Sequence, residues 1–474
     1  MSEVKVKKIH EASMRILNRT GMKFHHPDAV KVLKSHGIFV NPEGIAYFTE
    51  EQIMKYVKMA PEYVYFGAAD PVYSVKIGGN KVLNAPSMGA THIMEKDGAV
   101  RPATVEDFVK MIKLFEQNEN YHINGGMPCQ PENVPEEWST LLMYYLALRH
   151  SQKAVWAGSG NYEQMEAVIR MCCARFGLSE EMLRKDPHVL CMINTNTPLQ
   201  LDVNMTETMF TMLKYGQPCG IAAAAMAGTT SPVTLAGTIA IANAEVIATI
   251  ALAQMYAPGS PVIYGSQSAN ADMSTCAIAI GSPEGALCYK YCAEMARFYG
   301  IPSRAGGALT DAKSLNAQAG YESMMTYHSC HQNGINVIFQ SAGMMESYLS
   351  VSYEKMIVDF EIIDAVNRFD RDIEINEETI PEDVIDEVGP GGQFLMEEHT
   401  FEYCKKESML PNISVRGPKQ EAAKIFDRNI EKRLNQLLDS YQQPEIDKEV
   451  LEKMRAVMLE KGIDASYISM LDEL

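Results

Sequence analysis

The sequence predicts an α/β fold, a (β/α)8 TIM barrel with an N-terminal helical cap and a C-terminal helical extension. Three observations predict it. Eight short apolar runs each end in a cluster of Gly, Ser, Asn or Thr and are followed by a helical stretch. The runs begin roughly 30 to 43 residues apart, the spacing of strand–helix units that close into a barrel. No run leads into GxGxxG or GxxxxGK[ST], which weakens the competing reading, an open doubly wound nucleotide-binding sheet.

The elements follow in order. Residues 1–80 read as the cap. Ile9, Ala12, Ile16 and Leu17 fall at helical spacing, a second helix runs near Asp28 to Ser35 and stops at Gly37, and Ile38 to Phe48 reads as a hairpin turning on Asn41-Pro42-Glu43-Gly44. Residues 81–365 read as the barrel. Its strands are Lys81–Asn84, Tyr121–Gly126, Lys153–Gly158, His188–Ile193, Pro218–Ala223, Pro261–Gly265, Ile301–Arg304 and Ile335–Gln340. Helices lie between them, among them Thr104 to Gln117, Pro135 to Arg149, Asn204 to Tyr215 and Ser282 to Tyr299, and residues 344 to 362 are expected to continue as a helix after the eighth strand. Residues 366–474 form the extension. It opens with an acidic stretch, Asp370 to Glu387, and ends in charged helices from about Ala422, which are expected to wrap the barrel or meet a partner.

Composition narrows the function. The 474 residues are 46% hydrophobic and 22% charged, ordinary for a globular chain with a sizeable core. A net charge of -18 argues against a nucleic-acid groove or an anionic membrane surface, both of which need a basic patch. The ten cysteines are scattered, several inside apolar runs such as Met171-Cys172-Cys173 and Leu190-Cys191-Met192, which reads as buried thiol in a reducing cytoplasm. The N-terminus is amphipathic and lacks an apolar h-region, so no signal peptide is expected. The longest apolar tract, Leu235 to Tyr256, is broken by Asn243 and Glu245 and reads as a buried helix.

In such a barrel the polar residues at the C-terminal strand ends face the substrate. That rule selects Asn194, Asn196, Gln267, Arg304, Asp311 and Gln340. Each has a plainer alternative, since Asn and Thr after a strand commonly cap the next helix, and Arg304 is equally suited to a structural pair with Asp311. His328-x-x-His331 with Cys330 suggests zinc by helical spacing, but no second Cys/His pair stands at a matching strand end, so no metal site is expected. Cys288 and Cys292 read as core; Gly306-Gly307 and Gly389-Pro-Gly-Gly392 lack the helix and lysine of a phosphate cradle; Glu322 and Glu346 are not spaced as a glycosidase pair.

Several distant blocks carry a resemblance. Asn316-Ala-Gln-Ala-Gly-Tyr-Glu-Ser323, Gly334-Ile-Asn-Val-Ile338, Ser341-Ala-Gly-Met-Met-Glu346 and Ser352-Tyr-Glu-Lys355 with Asp359 surround the eighth strand. Gly98-Ala-Val-Arg-Pro102 with Asp107, Asn194-Thr-Asn-Thr-Pro-Leu199, Gly389-Pro-Gly-Gly-Gln-Phe-Leu395 with His399-Thr400, and His10-Glu-Ala-Ser-Met-Arg-Ile-Leu17 extend it over essentially the whole chain. Together they resemble the trimethylamine methyltransferase (MttB) superfamily. The resemblance implies a TIM barrel that moves a methyl group from an amine to the cobalt of a separate corrinoid protein, with cobalamin supplied by that partner and none tightly bound to the chain itself. Founding members carry pyrrolysine. This chain has only standard residues, so it resembles the branch acting on quaternary amines such as glycine betaine, proline betaine or carnitine, and the eighth strand end near Gln340 is where pyrrolysine is expected to fall.

A quaternary ammonium leaves as a neutral amine and needs no acid to activate it. Holding one calls for aromatic faces and oriented oxygens. Gln340 and Glu346 are therefore the expected catalytic residues. Asn194, Asn196, Gln267, Arg304, Tyr348 and Tyr353 are the expected substrate contacts, with packing of the last helix as the alternative for Tyr353. A zinc-dependent methylcorrinoid:thiol methyltransferase and a non-catalytic quaternary amine-binding protein are the alternatives in function, and a homo-oligomer is possible from the surface of the extension.

Overall fold

The computed structural model describes residues 2–417 and 422–474. Eight parallel strands form one sheet: β1 (Leu83–Asn84), β2 (Ile123–Gly125), β3 (Ala154–Ala157), β4 (Leu190–Asn194), β5 (Cys219–Ala223), β6 (Val262–Ser266), β7 (Ser303–Gly306) and β8 (Val337–Phe339). Each pairs with its neighbour in sequence, β8 pairs with β1, and a parallel bridge between Asn84 and Tyr121 closes the ring. The fold is a (β/α)8 barrel, and all eight strands fall within the eight apolar runs read from the sequence, give or take the terminal residues.

One helix follows each strand: α1 (Val105–Gln117), α2 (Glu136–His150), α3 (Tyr162–Phe176), α4 (Val203–Lys214), α5 (Leu235–Tyr256), α6 (Pro283–Tyr299), α7 (Ala317–Gln332) and α8 (Tyr353–Asp370). Local chemistry sets their ends. Thr104 with Asp107 and Asn161 with Gln164 form reciprocal capping boxes, and α3 and α6 stop at Gly177 and Gly300, whose φ of 64° and 69° a side chain would oppose. Helix α5 is long and apolar enough to cross a membrane, but it stands in the barrel's outer ring, buried against β5, β6 and the N-terminal helix Ser2–Arg19.

The two-residue period of each strand sorts side chains into two cores. Val155, Cys191, Ile193, Ile221, Tyr264, Ala305 and Ile338 face outward into the helices. Leu83, Ile123, Ala154, Trp156, Leu190, Met192, Ile263, Val337 and Phe339 face inward and form a separate interior cluster. An antiparallel hairpin, Val64–Phe66 with Val75–Ile77, adds its apolar residues to that cluster. Its neighbours Gly67 and Asp70 donate backbone N–H to the carbonyls of Pro187 and Gln152, just before β4 and β3, so it plugs the N-terminal end of the barrel.

The flanking segments grip the outside. Strand Met22–Phe24 sits between Ile45–Tyr47 and Gln200–Leu201, which ties the N-terminal segment to the loop after β4. At the other end, Ala422–Asp439 packs on α1 and α8, and Lys448–Glu460 packs on α3 and α2. Lys113 reaches the carbonyl of Leu474 at 2.6 Å, and Tyr145 donates to Asp472.

One sequence expectation is corrected here. Residues 344–351 do not continue as a helix. Met344–Met345 and Ser350–Val351 pair antiparallel, the latter also pairs with His92–Met94, and α8 begins only at Tyr353. Glu346, Ser347 and Tyr348 all have positive φ (51°, 56° and 81°), a run that no helix tolerates.

Inside the barrel, backbone glycines make the room that large side chains fill. A Cβ on Gly126, which has φ +73°, would lie 1.7 Å from the Trp156 ring. Gly126→Ala is therefore expected to cost about 2–4 kcal/mol from backbone strain and ring displacement together; a urea midpoint unchanged from wild type would show that the indole is free to move aside.

Candidate active site

Four of the expected residues meet at the C-terminal ends of β6, β7 and β8. Arg304 points inward from β7 and is 0% exposed. Its Nη1 donates to Gln267 Oε1 at 2.7 Å. The Gln267 amide nitrogen donates to Gln340 Oε1 at 2.5 Å and to the Tyr348 hydroxyl at 2.8 Å. Small residues make this possible: a Cβ on Gly265 would lie 2.9 Å from Arg304 Cδ, and one on Gly306 would lie 2.5 Å from Gln267 Nε2. Ser87, just beyond β1, is fully buried too, and the carbonyl of its neighbour Pro86 accepts from the Gln340 N–H.

Backbone strain and loop tethers aim the side chains. Gln340 has φ +48°, held by its N–H donating to the Pro86 carbonyl at 3.0 Å. The positive-φ segment Glu346–Tyr348 is pinned to the loop after β7, where Glu346 and Ser347 donate N–H to the carbonyls of Ala312 and Thr310 and Ser347 Oγ donates to Asp311 at 2.7 Å. Asp311 also accepts from the N–H groups of Ile280 and Gly281, and Glu322 accepts from Thr310 Oγ1 and the Asp311 N–H. Three loops thus share two carboxylates. Beneath them the fully buried Lys355–Asp359 pair fixes the Gly343 N–H and the Ala308 carbonyl.

Burial dominates the electrostatics. It pushes the Tyr348 hydroxyl up to about 12, so the phenol stays protonated beside the buried Tyr289. It pulls Arg304 down to about 10, still charged at neutral pH. Burial also raises the Asp311 and Glu245 carboxyls, against hydrogen bonds that favour the charged form.

The remaining expected residues lie elsewhere. Asn194 ends β4 on the inward phase, half-buried, and its amide does not touch the four-residue network. Asn196 is exposed, and its Oδ1 accepts from the Asp202 N–H; it shapes the turn before α4, which Asp202 itself caps. Glu346 is half-buried and accepts from Ser350 Oγ at 2.8 Å, away from the network. Tyr353 lies between α8 and α1, where its hydroxyl donates to Asp107 at 2.7 Å under Lys110, the packing alternative. Arg304 and Asp311 do not pair. His331 bonds Asp370 and His328 packs edge-on to Phe369, whereas Cys330 turns inward to the Gly306 carbonyl, so these three share no site. Among the described residues no group of three or more His, Cys, Asp or Glu is placed to hold a metal ion.

Sequence reasoning missed Trp156, Phe339, Ser87 and Glu245. Trp156 and Phe339 pack edge to face at 5.3 Å, and the Arg304 guanidinium lies 5.2 Å from the Phe339 centroid, so Trp156 and Arg304 border the same ring. The alternation of Ala154 with Trp156 and of Val337 with Phe339 was the available signal. Glu245, the lone carboxylate of the apolar tract, accepts from Thr195, Thr197 and the Leu199 N–H and so holds the loop after β4.

A barrel with polar and aromatic side chains gathered at its strand ends is built to handle a small molecule. The family model for trimethylamine methyltransferase (MTTB) matches residues 1–463, and the chain belongs to that family. A glycine betaine methyltransferase of Desulfitobacterium hafniense (strain Y51) is 36% identical over 465 residues, covering 98% of this chain and 97% of that one. The trimethylamine methyltransferase MttB of Methanosarcina barkeri (strain Fusaro / DSM 804) is 29% identical over 466 residues, covering 96% and 93%. Among solved structures, the Methanosarcina barkeri monomethylamine methyltransferase (MtmB) aligns with 91% of this chain and 98% of its own at 12% identity and a TM-score of 0.46. The protein is a methyltransferase of the methylamine class.

Two residues separate network from packing. Gln267→Leu is expected to lower kcat/KM about a hundredfold or more and, by leaving Arg304 Nη1 unpaired, to cost about 1–3 kcal/mol of stability, whereas Tyr353→Phe should cost about 1–2 kcal/mol and leave kinetics unchanged. Burial pushes the Asp107 carboxyl up, but hydrogen bonds from Arg101, Tyr353 and the Thr104 N–H outweigh it and hold the group at about 2. A depressed carboxyl contributes stability above its unfolded pKa and loses it as pH falls. The stability advantage of wild type over Asp107→Asn should therefore shrink between about pH 5 and about pH 1 in urea titrations.

Proposed function

We propose that the protein transfers a methyl group from a quaternary amine of the betaine class, such as glycine betaine, proline betaine or carnitine, to the Co(I) of a separate corrinoid protein. The observation that carries this reading is the chemistry of the strand ends. They gather two amides, a phenol held protonated, an arginine and two aromatic faces. The nearby carboxylates Asp311, Glu322, Glu346 and Glu245 are each engaged in loop hydrogen bonds. Nothing there is poised to protonate a leaving amine, which suits a substrate whose nitrogen is already fully alkylated.

In the step itself the C–N bond breaks with its electron pair remaining on nitrogen. The two electrons of the Co(I) nucleophile form the new carbon–cobalt bond, and a neutral tertiary amine departs without any proton transfer. The chain's task is to orient the methyl in line and exclude water. Tyr348, at the mouth, offers its ring face to the cation. Gln340 and Gln267 fix the wall against which the ammonium rests. Cobalamin arrives with the partner, and chemistry on a reduced metal fits a cytoplasmic setting.

Full-length protein incubated with reduced corrinoid protein, or with cob(I)alamin, and a panel of betaines is expected to convert Co(I) absorbance to methyl-Co(III) absorbance with matching release of the demethylated amine. Trimethylamine should react far more slowly. Demethylation of trimethylamine alone, or of nothing in the panel, would sink the proposal.

A further inference from the structure

The barrel interior beneath Gln340 holds hydrogen-bond donors that have no acceptor. Arg304 is 0% exposed, yet Nε and Nη2 have no partner. Trp156 Nε1, 2% exposed at the residue level, and Ser87 Oγ, at 0%, are unpartnered too. Arg304 and Trp156 border the same Phe339 ring. No carboxylate forms an ion pair with Arg304 among the described residues, and none ranks among the influences on its protonation. A buried guanidinium without counter-charge is a costly arrangement, and it is relieved by an anion that enters from outside. The geometry also says which anion. With Nη1 committed to Gln267, the free groups are the Nε–Nη2 edge, the side of the fork that matches the two oxygens of one carboxylate.

We infer that Arg304 is a specificity-determining residue, presenting its Nε and Nη2 to the carboxylate of the substrate, with Trp156 Nε1 and Ser87 Oγ as further donors. The inference deepens the betaine reading above and rests on it only for the identity of the molecule that brings the carboxylate. The substrate stands with its carboxylate deep in the barrel and its methylated nitrogen toward the mouth, past Gln340 and Tyr348. Choline and other quaternary amines that lack the anion leave Arg304 uncompensated.

Two half-substrates test it. 3,3-Dimethylbutanoate keeps the shape and carboxylate of glycine betaine without the cation; choline keeps the cation without the carboxylate. By calorimetry, wild type is expected to bind glycine betaine and 3,3-dimethylbutanoate, and Arg304→Lys to weaken both by about tenfold or more, with choline binding changed much less. Trp156→Phe should weaken the carboxylates by a smaller factor. If the variants lose cooperative unfolding, wild type alone decides: 3,3-dimethylbutanoate should raise its melting temperature and the uncharged 3,3-dimethylbutanamide should not. Equal effects of acid and amide, or an unchanged carboxylate affinity in folded Arg304→Lys, overturn the subsite. Carboxylate binding without demethylation of any quaternary amine would instead leave the subsite standing and remove the methyl-transfer reading.

Discussion

Arginine has donors and no lone pair, and that asymmetry orders the whole cluster at the strand ends. Because Nη1 of Arg304 can only donate, Gln267 must turn its carbonyl oxygen toward β7. The amide nitrogen of Gln267 is then obliged to face the other way, where it meets the oxygens of Gln340 and Tyr348. Gln340 in turn presents oxygen to the network and keeps its own NH2 group out of it. An amide flip at either glutamine would set donor against donor or acceptor against acceptor between buried groups. One guanidinium therefore fixes the orientation of side chains on three consecutive strand ends.

That ordering works only because the backbone yields space and the loops do not drift. Gly265 and Gly306 stand where any side chain would collide with Arg304 or Gln267. The loops after β6, β7 and β8 are bound to one another through Asp311 and Glu322, not to solvent. The strained run Glu346–Tyr348 turns the Tyr348 ring back over the barrel, and its cost is met by the hydrogen bonds that over-determine it. The buried Lys355–Asp359 pair serves the same end: its desolvation is unfavourable, but both charges also satisfy backbone groups of the loops after β7 and β8, so it selects one loop arrangement more than it adds stability.

The parts legible in the sequence are those with local causes. Each strand announces itself as an apolar run closed by turn residues, and the buried helix α5 shows as an apolar tract interrupted by Asn243 and Glu245, whose partners lie on other elements. The strand-end rule selected Gln267, Arg304 and Gln340, which the fold brings together; Tyr348 entered through the chemistry of holding a cation. Residues 344–351 were not legible. Their apolar and acidic letters fit a helical period, whereas pairing with His92–Met94, some 250 residues away, decides their conformation. Tyr353 and Asn196 lie outside the network for a related reason: Asp107 and Asp202, which bond them, sit on helix or turn positions that no strand-end rule considers. Trp156 was passed over because aromatic residues inside a strand read as core, and only the edge-on contact with Phe339 beside a bare guanidinium shows that this core has a polar face.

In the proposed complex with a betaine, the neutral network also resolves a tension between two cations. A permanently charged guanidinium in the barrel repels a quaternary ammonium, and at low effective dielectric that repulsion is large. A carboxylate bound between the two charges screens one from the other. In that proposal, neutral amides and the Tyr348 ring at the mouth hold the ammonium without a second anion that would compete for Arg304. A carboxylate in place of Gln340 would attract the cation more strongly, but it would also put a second negative charge next to Gln267, the partner of Arg304, in competition with the substrate's own carboxylate. Glutamine is the residue of similar reach that does neither, which is a physical reason for an amide at the eighth strand end.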